Sequence, residues 1–538
     1  MKKCLVGTVI VMAVGIWTFT QYWYYLPGLI DAVVNPVDEH RTVTWQPGPA
    51  DPPVAERPPN IILIVADDLG FNDITFYGGG IAHGSVPTPN IDSIAAGGIH
   101  FTNGYAGNGT CAPSRAALLT GRFATRSGFE FTPVGVSFSR LTFGDSFISE
   151  NAVNYPQRET LGLPHSELTL PELLGTRGYH SVALGKWHLG EAEGLRPIDQ
   201  GFNEFLGFLP GAALYLPRDD ANVINAPQDI DPSDRYLWAN LTHSVIHNNS
   251  GRFQPDSHMT DYFSRQAMKV IEANRHRPFF LYLAYNAPHT PLQAEKADYD
   301  ALTHIENHTE RTYAAMLRGL DRGIGQVLTT LDENAIADNT MVIFTSDNGG
   351  VGYIGLPDLN KPYRGWKLTF FEGGIHTPYF IRWPKQIPAG SQYDFAVGHI
   401  DIFATALAAA GVESPADRII DGKNLLDFAL TNPQAPLNRP LFWRTGGYKV
   451  VQQDGWKLQV QEQSGKTWLY NLTVDPTEQD NLSDVRPERL AELTKLLYSL
   501  DEEMIEPLWP TLAEAEIAVD YTIDKRPDSD HTTVIWAN

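Results

Sequence analysis

The sequence predicts an α/β fold. A large, mixed but mostly parallel β-sheet is sandwiched by helices, and a smaller C-terminal antiparallel sheet with a helix follows. Three observations carry this. Four short apolar runs recur along the chain, each stopping abruptly at polar, reactive residues. Stretches with helical spacing lie between them, and strands alternating with helices make an α/β sheet. Near the end, two strand-like segments flank Asp454-Gly455, a hairpin signal.

The four runs have one shape. Asn60 to Ala66 leads into Asp67-Asp68, and His180 to Leu184 into Gly185-Lys186-Trp187-His188. Pro278 to Tyr285 leads into Asn286-Ala287-Pro288-His289, and Thr340 to Thr345 into Ser346-Asp347-Asn348-Gly349. Continuous β-branched and aromatic runs of this length read as strands buried on both faces. Among the helices, Thr169 with Glu172 forms a capping box, and Gly178 is a stop. Tyr313 to Leu331 has apolar residues at helical spacing, and His399 to Ala410 is a helix ended by Gly411. In the C-terminal part, residues 436–538, Tyr448–Gln453, Trp456–Val460 and Trp468–Leu472 read as strands and Pro487–Met504 as a helix.

The N-terminus follows a different logic. Lys2 and Lys3 precede an apolar run from Cys4 to Thr20, and an aromatic cluster from Tyr22 to Tyr25 follows. That order belongs to a membrane-inserted segment. Residues 1–30 are therefore read as a membrane anchor or signal, with an uncleaved anchor favoured because no small-x-small cleavage site follows. The body is then exported and faces the periplasm or another extracytoplasmic space, or is secreted if the leader is cleaved. Residues 31–58, rich in Pro and polar residues, read as a linker.

The net charge is −23, from 40 basic and 63 acidic residues, which disfavours nucleic acid as a partner. An anion site on such a chain must gather positive charge locally. Only two cysteines exist, Cys4 in the leader and Cys111, so a disulfide framework is excluded and Cys111 is unpaired.

The polar tails fall into two sets, and ligands in α/β sheets bind beyond the carboxyl ends of the strands. Asp67, Asp68, Asp347 and Asn348 offer only oxygen, and three crowded carboxylates repel one another unless a cation sits among them. Such a set suits Ca²⁺ or Mg²⁺ rather than zinc. Arg115, Lys186, His188, His289 and Lys367 form the cationic or donating set, suited to a tetrahedral anion.

Around the odd cysteine the chain reads Cys111-Ala112-Pro113-Ser114-Arg115, then Ala116-Ala117-Leu118-Leu119-Thr120-Gly121. This resembles the type I sulfatase signature, C-x-P-S-R followed by x-x-L-L-T-G. Pro59 to Gly70, Pro87 to Asp92, Gly185 to Gly190, Ala287-Pro288-His289, Ser346 to Gly349, Arg364 to Lys367 and Glu372-Gly373-Gly374 resemble further family segments, in the family's order. The resemblance covers residues 59–435, the expected catalytic domain, and implies an alkaline phosphatase-like fold.

It also implies a chemistry. Cys111 is converted by a formylglycine-generating or other sulfatase-maturing enzyme to formylglycine (3-oxoalanine), whose hydrate is the nucleophile. Asp67, Asp68, Asp347, Asn348 and residue 111 hold one divalent cation, Ca²⁺ with Mg²⁺ as the other option, and Asp347 is the base for the attack. Arg115 and Lys186 hold the hydrate, and Lys186, His289 and Lys367 bind the substrate's sulfate. His289 and Lys367 also help the departing alcohol gain a proton, while His188 takes one so that sulfate leaves. The substrate is a sulfated small molecule or carbohydrate, as in the arylsulfatase and N-acetylgalactosamine sulfatase branches. Independently of the resemblance, Pro113 suits the first turn of a helix, leaving residue 111 at an N-terminus that favours anions.

Some relatives carry a polar helper after the Gly201–Gly207 segment. Here Phe208-Leu209-Pro210-Gly211-Ala212 follows, so a contact from this loop is expected to be apolar. Aromatic residues at the expected mouth, Tyr77, Phe129, Phe131, Phe208, Tyr215, Tyr363 and Trp366, could stack on a sugar or aryl ring, though core packing is the commoner fate of such residues. Two other readings stay open from the residues: a phosphate or phosphonate ester hydrolase of the same superfamily, and an inactive exported protein that binds anions or carbohydrate.

Overall fold

The computed structural model of the chain describes residues 17–51, 57–525 and 533–537. The four apolar runs are neighbours in one nine-stranded sheet. Its order is Ser391–Tyr393, Ile99–Phe101, Tyr379–Arg382, Thr340–Ser346, Asn60–Ala66, Phe279–Ala284, His180–Lys186, Glu204–Phe208, Ile246–His247. The central five strands, from Thr340–Ser346 to Glu204–Phe208, are parallel to one another. Antiparallel pairing begins at Tyr379–Arg382 on one side and at Ile246–His247 on the other.

Side-chain alternation along a strand explains why these segments are apolar throughout. In Asn60–Ala66, Ile62, Ile64 and Ala66 join one core, while Ile61, Leu63 and Val65 join the core on the opposite face. Helices cover both. His308–Glu333 lays Met316, Leu317, Leu320, Ile324 and Val327 on the first, and Ile400–Ala410 lays Ile402 and Phe403 on the second. The Thr169 capping box is present, with the Thr169 amide 2.7 Å from Glu172 Oε2, but its helix, Leu170–Gly175, stops before Gly178.

The C-terminal sheet runs Leu441–Thr445, Tyr448–Gln453, Trp456–Gln461, Lys466–Asn471, and every pairing is antiparallel. Asp454 and Gly455 both have positive φ, 52° and 75°, as a two-residue hairpin turn of this twist requires. The helix Pro487–Asp501 packs on this sheet, and Val450, Leu458 and Leu493 share a core with Tyr105, Trp366, Phe370 and Phe371 of the larger unit. In the tail, Ala515–Ala518 pairs with Val534–Ala537.

Most of the Cys4–Thr20 run lies outside the described residues. Among the described residues no helix is long and apolar enough to cross a membrane. Of the stretch read as a linker, 31–58, residues 52–56 lie outside the described residues, the first four complete the helix Leu26–Val34, and the part around Val43 and Trp45 is docked. Val43 and Trp45 are buried, and Trp45 Nε1 donates to Gln266 Oε1 at 3.0 Å. Backbone bonds add to this: the Gln46 amide donates to Glu204 Oε1 at 3.1 Å and the Gly48 amide to Ala273 O at 2.8 Å.

Lys457 crosses the core between the two sheets. Its ammonium lies 2.8 Å from Glu372 Oε1 and 3.0 Å from Glu478 Oε1, fully enclosed. Lys457→Met should leave two buried carboxylates uncompensated and cost about 3–5 kcal/mol. Chemical denaturation of the full chain measures this; a loss below about 1 kcal/mol, the scale of an exposed ion pair, would refute the assignment.

Candidate active site

Parallel pairing places Asp67 and Asp347 side by side. The Asp347 amide bonds Ala66 O at 3.1 Å, one step beyond the ladder, and the Asp67 amide bonds Ala287 O at 3.2 Å. Asp68 turns back with φ 63°, donates its amide to Asp347 Oδ1 at 3.2 Å, and accepts from Asn348 Nδ2 at 2.8 Å. All four of these residues are buried.

Cys111 opens the helix Cys111–Thr120, with Pro113 in its first turn. The thiol lies 3.9 Å from Asp68 Oδ1 and 3.1 Å from Lys367 Nζ. One turn on, Arg115 is fully buried and forks onto Asp347 through Nε at 2.9 Å and Nη2 at 2.7 Å. Lys186 Nζ sits 2.6 Å from Asp67 Oδ2, and Lys367 Nζ sits 2.6 Å from Asp68 Oδ1. His289 Nε2 approaches Asp68 Oδ2 at 3.5 Å, and Tyr215 fixes its backbone by donating to His289 O at 2.9 Å. His188, at φ 60°, bonds Leu209 O through its amide. The fold thus gathers every predicted site residue at the carboxyl ends of the central strands.

The donor set fits a divalent cation. One ligand atom each from Asp67, Asp68, Cys111 and His289 lie within 4.8 Å of one another. Asp67 Oδ1 and Asn348 Oδ1 are buried without a hydrogen-bond partner, the condition a hard cation relieves. Charge balance points to the same corner. Burial, with Asp347 and Asp68 nearby, pushes Asp67 up to about 8 against the pull of Lys186 and Arg115. Burial also raises Asp68 and Asp347, but Lys367 and His289 outweigh it at Asp68, and Arg115 and Lys186 at Asp347, so both lie below the usual range. A cation beside Asp67 would remove the one carboxyl that its neighbours leave raised.

Burial drives His188 well below its ordinary value, with Lys186 and Arg115 adding to the effect, and lowers His289 to about 3. At His188 the direction favours the neutral imidazole. Burial pushes the Cys111 thiol up to about 12.

A family model described as Sulfatase matches residues 59–412. The chain belongs to the sulfatase family. A second model, N-sulphoglucosamine sulphohydrolase, C-terminal, matches residues 365–506. N-acetylgalactosamine-6-sulfatase from Homo sapiens is 35% identical over 450 residues, covering 82% of this chain and 79% of that protein. A crystal structure of Ps i-CgsB in complex with k-i-k-neocarrahexaose superimposes with a TM-score of 0.70 at 31% identity, covering 84% of this chain and 95% of that one. The phosphonate monoester hydrolase of Agrobacterium radiobacter shares the fold, with a TM-score of 0.55 at 19% identity over 83% of this chain and 96% of that one. This sulfatase is a sulfuric ester hydrolase, acting on sulfate esters.

The aromatic residues near the expected mouth are packed or partnered, the commoner fate of such residues. Tyr77 stacks on Phe71 and Tyr363 on His376, both at 4.2 Å between centroids. Phe129, Phe131, Phe208, Tyr215 and Trp366 are buried. Among the aromatics that do reach the cluster is Tyr353, whose hydroxyl donates to Asp68 Oδ2 at 3.2 Å. No motif in the sequence flags it; it lies in the loop between Gly350 and Arg364. The loop after Gly207 is apolar, and Gly211 is where it meets His188. A Cβ at Gly211 would stand 2.7 Å from Cε1 and Nε2 of the His188 ring. Gly211→Ala should therefore displace His188 at a cost of about 1–3 kcal/mol and lower kcat by about tenfold or more. Steady-state kinetics on a sulfate ester measure this, and an unchanged kcat would show that the ring is not held there.

Proposed function

We propose that this sulfatase hydrolyses a sulfate monoester of a carbohydrate, with a formylglycine made from Cys111 and one divalent cation, Ca²⁺ in preference to Mg²⁺. The observation that carries the reading is the packing of Cys111 between Asp68 and Lys367 at a helix N-terminus, beside a buried cluster of oxygen ligands. A carbohydrate ester is supported by the sugar-directed names of the relatives, N-acetylgalactosamine-6-sulfatase and the neocarrahexaose complex.

Asp67, Asp68, Asp347 and Asn348 would hold the cation, which polarises the sulfate and favours an ionised oxygen nucleophile. A formylglycine at residue 111 would supply that oxygen through its hydrate, splitting the hydrolysis into two easier steps. This chain's own side chains do the rest. Arg115 and Lys186, locked on Asp347 and Asp67, set the position of residue 111 and neutralise the carboxylates around it. Asp347 takes the proton as the attack begins. Lys367 and His289 bind sulfate oxygens and help to protonate the departing alcohol. His188, held neutral by burial and by its cationic neighbours, accepts the proton whose loss lets sulfate go.

Cys111 is 4% exposed, so its conversion by a maturing enzyme must precede closure of the fold. Export through the leader, Lys2 to Thr20, is part of this reading.

Protein co-produced with a formylglycine-generating enzyme should hydrolyse 4-nitrophenyl sulfate far faster than 4-nitrophenyl phosphate. Faster phosphate release would move the assignment to the phosphate and phosphonate ester hydrolases. Cys111→Ala should abolish turnover with the fold intact by circular dichroism, and near-normal activity in that variant would sink the mechanism. Chelation should abolish activity, with Ca²⁺ restoring more of it than Mg²⁺; the reverse order would correct the ion. Release of inorganic sulfate from sulfated oligosaccharides decides the substrate class.

A further inference from the structure

Residues 17–34 are helical throughout, and they carry the reverse of ordinary surface amphipathicity. A helix on a soluble domain turns its apolar stripe inward and its polar face to water. Here the inward stripe is Tyr24, Gly28 and Asp31. Asn240 Nδ2 donates to Tyr24 O at 2.9 Å, Gly28 lies against the Ala239–Asn240 backbone, and Asp31 pairs with Arg252 at 2.7 Å. The outward stripe is Tyr22, Leu26, Leu29, Ile30 and Val33, at spacings of three and four, with Leu29 63% and Val33 82% exposed. Trp17, Phe19, Tyr25 and Val34 are exposed beside them. Half of the exposed large hydrophobics among the described residues fall in this one segment, and a patch of that kind marks an interaction site.

We propose that the outward face of residues 17–34 lies in the interfacial layer of a lipid bilayer and seats the catalytic domain on it. The occupant follows from what the segment continues. Upstream in sequence are Lys2, Lys3 and the apolar run from Cys4, so the chain reaching this helix carries the pattern of a bilayer segment. Trp17, Tyr22 and Tyr25 are the side chains that favour the headgroup level, with one apolar end and one wet end.

The helical segment packs on Pro232–Asn240, whose nine residues span about 13 Å. This inference rests on the export reading above and is independent of the sulfate chemistry.

The test uses the full chain in a Cys4→Ala background, with Leu29→Cys or Val33→Cys carrying an environment-sensitive fluorophore and Val474→Cys, 77% exposed on the C-terminal unit, as control. Vesicles of phosphatidylcholine and phosphatidylglycerol are added, with and without spin-labelled lipid, and binding is scored by flotation. Labels at 29 and 33 should shift to the blue and be quenched by the spin-labelled lipid, while the label at 474 is unchanged. Water-like labels at 29 and 33 on a chain that floats would overturn the inference and leave the leader reading standing. A chain that does not float would overturn both. Labels at 29 and 33 buried without lipid, with a doubled mass by light scattering, would overturn it in favour of a second copy of this chain.

Discussion

Asp67, Asp68 and Asp347 are buried together at the ends of two paired strands, and burying three carboxylates without compensation would cost more than the net stability of a domain. The fold meets this by burying cations in the same place. Lys186 faces Asp67, Lys367 faces Asp68, and Arg115 forks onto Asp347. Each cation comes from a different stretch of chain, so the requirement for neutrality ties a central strand, the Cys111 helix and the loop before Glu372 into one unit. The same arrangement reconciles an anion site with a net charge of −23. At physiological salt the acidic surface is felt over only about 8 Å, so an ester inside the pocket responds to the nearby lysines and the arginine rather than to the whole molecule.

Lys367 stands on no regular element, yet it must reach both Asp68 and residue 111. The C-terminal unit holds its loop. Arg364 donates to Glu478 O at 2.8 Å, Trp366 Nε1 to Ala518 O at 3.3 Å, and the Phe370 amide to Tyr448 Oη at 3.3 Å. The Glu372 amide donates to Glu478 Oε2 at 2.6 Å, and Lys457 clamps both carboxylates from below. These bonds satisfy loop polar groups that would otherwise be buried unpaired, and they fix the loop that carries Lys367. The small antiparallel sheet is thus part of the frame of the site, which explains why its core is continuous with that of the larger unit.

What the sequence made legible was local in origin. Strands buried on both faces are apolar at consecutive positions, so the four central runs and their reactive tails stand out in any short window, and parallel pairing then brings the tails together. The Asp454-Gly455 turn and the Gly411 helix stop are equally local, because positive φ selects those residues. What stayed hidden depends on distant partners. Tyr353 reaches Asp68 across 285 positions, and Lys457 pairs with Glu372 across 85. In the sequence the aromatics near the expected mouth stand between cleft and core for the same reason: a ring's place is set by what packs on it, and here most are core. Val43 and Trp45 are single apolar residues in a proline-rich stretch, too few to make a periodic signal, though both help to dock it.

Burial acts on residue 111 in a way that bears on its chemistry. As a thiol it is pushed up to about 12, so almost none is thiolate at neutral pH, even with Lys367 Nζ 3.1 Å from Sγ. A nucleophile that needs ionised sulfur is badly served here. Under the proposed chemistry the reacting atom is oxygen, which the oxygen-ligand corner and the neutral His188 both suit. The enclosure that silences the thiol is then the one that keeps bulk water from the reacting centre. Under the same proposal, the near-complete burial of residue 111 would require the side chain to be changed before the fold closes over it.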